Sequence, residues 1–140
     1  DEEHSMFWFA VDPSLLDYSE CIDFMNLQRC TPEDVCLEEQ PIIKVGGNGV
    51  DGQTFVDNAE FRKYVWDTFE ADSLSMETAA VAHVAYMNDV PFLGFRSLSD
   101  LAGGGDGENE IGIFFQLAAD NSANVVMSFL DIYEDNRINK

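Results

Sequence analysis

Two hydrophobic periods alternate along the chain. Short apolar runs at residues 6–10, 41–45 and 90–95 have the length and continuity of strands covered on both faces. Between them, apolar positions recur at helical spacing. Asp12 can cap and Pro13 can open a helix to about residue 25, with Leu15, Leu16, Tyr18 and Ile22 on one side. Phe61, Tyr64, Val65 and Phe69 mark a second helix at 58–69, and Ile113, Phe114, Leu117, Ala118, Val125, Phe129 and Ile132 a last one at 110–133. At the centre, a brief strand at 72–75 leads into a helix whose apolar face is Met76, Ala79, Ala80, Val84 and Met87. There Ser75 sits where a cap belongs and Glu77 is a first-turn acid. Alternation of this kind predicts an α/β domain with a partly parallel sheet covered on two sides.

Punctuation supports these boundaries. Gly46, Gly47, Asn48 and Gly49 stop the run at 41–45, and residues 26–40 read as surface loop. Residues 101–107 are glycine-rich enough to suggest a lid. Residues 1–5 are charged, without a cap or strand signal, as expected of a cut end inside a loop, and 134–140 read as a fraying tail.

Composition narrows the partners. The chain has 140 residues and a formal charge of −20, from 27 acids against 7 bases. One core is expected at this length, and the charge repels both nucleic-acid backbone and anionic membrane, so neither is expected as a partner. An apolar content of 46% with 11 Phe opposes disorder. Cys30 and Cys36 bracket a short acidic loop that can close as a disulfide in an oxidising compartment, leaving Cys21 free or paired with another chain. Three buried thiols in a reduced cytosol are the alternative. The spacing suits no zinc pattern, and no metal or other cofactor is expected.

Two carboxylates draw notice. Glu77 opens the central helix, and Asp100 closes the segment after the run at 90–95, where ligands collect in α/β folds. Taken alone, Glu77 reads equally as a solvated acid favoured by the helix dipole and Asp100 as a turn cap. Met76 reads as core, Arg96 as an ion-pair partner of a core-adjacent acid, and His83 as a packed helical histidine.

At these residues the sequence resembles a known family. SMETAAVAHVAYMNDVPFLGFRSLSD followed by LAGGG is similar to the nucleoside phosphorylase and nucleosidase superfamily, and most of all to its plant branch of bark storage and wound-inducible proteins. The likeness is clear from about residue 41 to 133. It implies a central mixed, curved sheet surrounded by helices, of which this chain would be the carboxyl-terminal part, completed by a separate amino-terminal chain in a homo- or hetero-oligomer. It also implies cleavage of purine nucleosides, with phosphate as co-substrate in a phosphorylase. Asp100 would then protonate the base, helped by Ser99 beside it. Glu77 would hold the ribose hydroxyls with Met76 packed on the sugar, while Phe55 stacks on the purine and Val56 offers backbone groups to its edge. Ser75 stands where active relatives commonly carry another acid, and no phosphate-binding or water-activating group of the family is identifiable. A storage or defence protein that keeps the fold and binds adenine without turnover is the alternative. The plant likeness implies the secretory pathway, with a vacuolar or extracellular destination, against a cytoplasmic alternative.

Overall fold

A computed structural model describes residues 7–22, 27–104 and 111–138. Its elements run α1 (Pro13–Ser19), β1 (Asn48–Asp51), α2 (Ala59–Phe69), β2 (Ala71–Ser75), α3 (Thr78–Met87) and α4 (Ile111–Ile138). The α/β class follows from the residues as expected.

Where helices begin, side chains say why. Asp12 Oδ1 accepts the Leu15 N–H at 3.0 Å, with Pro13 supplying a preset φ at the first position. Asn58 Oδ1 does the same for Phe61 N–H at 2.8 Å. α1 stops at Ser19, short of the expected residue 25, because Glu20, Cys21 and Ile22 donate three residues back, to Asp17, Tyr18 and Ser19. α2 ends where Glu70 adopts a left-handed backbone, φ 51°, and the chain turns directly into β2.

β1 and β2 pair in parallel with α2 as their crossover, in the register Gly49 to Ser73, Val50 to Leu74 and Asp51 to Ser75, with an irregularity between Asn48 and Gly49. Among the described residues this is the only sheet. The expected strands at 7–10, 41–45 and 90–95 form no ladder. The strand expected before the glycines lies instead at Asn48–Asp51, because it is there that the chain runs beside β2. Ser75 is the last residue of β2 and not a helix cap, and Glu77 stands at the cap position of α3 without a side-chain cap bond.

The core sits along α4, where Phe114, Leu117, Ala118 and Phe129 are buried, and under α2 at Val65. Ile113 was expected there too but is exposed. One polar residue belongs to the same buried stripe: Asn121 accepts the Gln28 N–H at 2.7 Å and donates to the Gln28 carbonyl at 2.8 Å, so the loop before the disulfide is tied to α4 by a two-point backbone clasp. That disulfide joins Cys30 to Cys36, and Cys21 is a free, exposed thiol. α3 buries Ala82 and leaves Val84 and Met87 exposed, the reverse of the expected face. His83 is exposed and stacks on Phe9, with ring centroids 5.0 Å apart. The expectations for residues 1–6, for the last turn of the first helix at 23–26, and for 105–110 and 139–140 lie outside the described residues.

No described helix is long and apolar enough to cross a membrane. Nor do the described residues contain a group of three or more His, Cys, Asp or Glu able to hold a metal ion.

Candidate active site

Parallel strands bring their carboxyl ends to one edge, and here β1 and β2 end side by side at Asp51 and Ser75. A cleft of about 1000 Å³ opens at that edge. Its walls are the end of β1 with the loop to residue 57, the first turns of α2, all of β2, the entrance of α3, the segment 96–102, and Ile111 and Phe115 of α4. This is the place where open α/β folds present ligand sites.

All six residues singled out in the sequence, Phe55, Val56, Met76, Glu77, Ser99 and Asp100, line this cleft. Phe55 lies just beyond β1 and is 56% exposed, so a ring face is available to a flat ligand. Met76 and Glu77 lie between β2 and α3, where the backbone changes from extended to helical. Met76 is 43% exposed and therefore belongs to the wall of the cleft and not to the core. Ser99 donates its hydroxyl to Asp100 Oδ1 at 2.7 Å.

Arg96 changes the picture of Glu77. Its Nη2 donates to Glu77 Oε2 at 3.0 Å and its Nε to Thr78 Oγ1 at 2.6 Å. The expected ion pair therefore exists, but its acid is the exposed one at the mouth of the site and not a core-adjacent one. Asp51 was not singled out by its sequence context. Its carboxylate accepts both the Ser75 hydroxyl and the Ala79 N–H, so it caps α3 from the neighbouring strand. A carboxylate directly before Gly52, at a strand end, was the available signal. Its meaning depended on knowing that β1 and β2 finish together.

The loop after Asp100 is fastened along 101–104. Asp57 accepts the Gly103 N–H at 2.8 Å, and Arg62 donates to the Ala102 carbonyl at 2.7 Å. Leu101 and Ala102 line the cleft with the loop held to Asp57 and Arg62, and the rest of the expected lid, 105–107, lies outside the described residues.

With this geometry in hand, known proteins give the comparison. The family model described as the phosphorylase superfamily matches residues 4–131. Bark storage protein B of Populus deltoides is 26% identical over 99 residues, 70% of this chain and 31% of its own length. A 5'-methylthioadenosine/S-adenosylhomocysteine nucleosidase of Treponema pallidum is 44% identical over 59 residues, 42% of this chain and 22% of its own. The protein of that name from Staphylococcus aureus is 32% identical over 91 residues, 64% of this chain and 40% of its own. The chain thus spans well under half of the length of these relatives. No solved structure matches it significantly.

Proposed function

The chain belongs to the phosphorylase superfamily, and from that membership we propose that it forms part of a site that cleaves the N-glycosidic bond of purine nucleosides. The observation that carries this reading is the single cleft bearing Phe55, Val56, Met76, Glu77, Ser99 and Asp100 on its walls.

Breaking that bond leaves negative charge on the departing base and positive charge on the sugar. Asp100 supplies a proton to the base, with the Ser99 hydroxyl bound to its Oδ1 at 2.7 Å. Phe55 covers the purine face, and Val56 presents its backbone to the ring edge. Glu77 accepts hydrogen bonds from the vicinal sugar hydroxyls, with Arg96 holding Oε2 at 3.0 Å and Oε1 left toward the sugar. Met76 packs on the ribose. Water or phosphate then attacks the anomeric carbon.

The groups that bind this nucleophile come, in this reading, from a companion amino-terminal polypeptide, so that the working unit is an assembly. One observation supports a covering partner: the apolar wall residues Leu98 and Phe115 are 67% and 62% exposed in an open cleft. The Cys30–Cys36 disulfide and the bark storage similarity support an oxidising, secretory destination, vacuolar or extracellular.

A second reading is favoured by the extent of that same similarity, 70% of this chain, together with Ser75 where an acid is expected: a storage protein that keeps the cleft and binds purine without turnover. Release of free purine from adenosine, inosine and methylthioadenosine, assayed on the complete assembly with and without phosphate, separates the two. Catalysis predicts release that falls by about 10²–10⁴ in Asp100→Asn, with phosphate dependence identifying a phosphorylase. No release by the native assembly, and purine binding that Asp100→Asn leaves unchanged, would establish storage.

A further inference from the structure

The carboxylate that caps α3 belongs to Asp51, 28 residues before the Ala79 amide it accepts. Its other oxygen accepts the Ser75 hydroxyl proton. Serine has only one such proton. In the 2.9 Å contact between the Ser75 and Thr78 hydroxyls, Thr78 must therefore be the donor. Thr78 Oγ1 in turn accepts from Arg96 Nε at 2.6 Å, and the same guanidinium grips Glu77 at 3.0 Å. The bonds point one way, from the cation through two hydroxyls to an anion, an order in which each member polarises the next. Gly94 lets the chain close. A Cβ there would lie 3.1 Å from Thr78 Cγ2, tighter than ordinary contact, so the absence of a side chain at 94 leaves room for the Thr78 methyl.

We propose that Asp51, Ser75 and Thr78 are positioning residues that hold Glu77, through Arg96, in its sugar-binding orientation, with the Asp51 carboxylate reaching from β1 to the end of β2. The inference rests on the reading of Glu77 as the sugar-binding group.

Ser75→Ala breaks the chain in the middle and spares both the Asp51–Ala79 cap and the Arg96–Glu77 pair. Exchange of the Arg96 Nε proton, followed by nitrogen-edited NMR, should quicken about fivefold, the worth of one ordinary hydrogen bond. In the complete assembly the KM for adenosine should rise about fivefold for the same reason, with kcat little changed. Ser75→Thr should restore both. A purely structural role for Ser75 would leave a proton two hydroxyls away untouched, so native exchange at Arg96 in Ser75→Ala would overturn the proposal, as would a native KM in a turning-over assembly. If the native assembly cleaves no nucleoside, the proposed function fails separately, and the relay stands or falls on the Arg96 exchange.

Discussion

Residues 71–75 and 90–95 make an instructive pair. Ala-Asp-Ser-Leu-Ser is hardly apolar, yet it forms β2 and is half-buried throughout. Val-Pro-Phe-Leu-Gly-Phe is the stronger strand signal by composition, yet it joins no ladder and leaves Val90 55% exposed. The difference is a neighbour. β1 lies beside β2 for four residue pairs, whereas 90–95 has no ladder partner among the described residues. That segment is tied by Val90 N–H to the Ala85 carbonyl at 2.9 Å and by Asp12 N–H to the Phe92 carbonyl at 2.8 Å. Pro91 has no N–H to give. A side chain adds a further anchor: Phe95 meets Phe129 of α4 edge to face, with centroids 5.1 Å apart.

The largest effect should therefore come from that anchor. Phe129 is 7% exposed and also stacks on Tyr133. Phe129→Ala should cost about 3–5 kcal/mol, read as a fall in the urea midpoint. Amide exchange should accelerate at 92–96 well before it does at 73–75. Equal acceleration in both stretches would show that the unpaired segment depends on more than this contact.

The paired side can be broken at its start. Gly47 has φ +102°, and a Cβ there would lie 2.1 Å from Asp72 Oδ2. Asp72 is the group that receives the Asn48 N–H at 3.3 Å and pairs with Lys44, so it seats the glycine turn against β2. Gly47→Ala should lose about 1–3 kcal/mol. The loss should appear as faster exchange along Asn48–Asp51, with α4 unaffected.

These contrasts explain what could be read in advance. Helices satisfy their backbone groups internally, so α2 and α4 were legible from spacing, with Asn58 in place as a cap. β2 was found because two helices bracket it. The runs at 7–10, 41–45 and 90–95 were misread because continuous apolarity signals a need for cover and does not say what provides it. Ile42, 80% exposed, shows that need unmet within the described residues. The cleft was legible through the carboxylates of a familiar motif. Asp51 and the partner of Arg96 were not, since each matters through a residue distant in sequence that the fold brings beside it.

The smallest effect concerns two ways of capping a helix. α2 carries its cap locally, Asn58 Oδ1 on Phe61 N–H at 2.8 Å, whereas α3 borrows the Asp51 carboxylate from another element. Removing the local cap should have only a local consequence. Asn58→Ala should cost about 1 kcal/mol and fray the first turn of α2. It should leave exchange at the Ala79 amide unchanged, because the β1 end that caps α3 is held by its ladder to β2. If Asn58→Ala also exposed Ala79, the two caps would be coupled through residues 52–57, and the cleft wall bearing Phe55 and Val56 would have to count as part of the same cooperative unit as the entrance of α3.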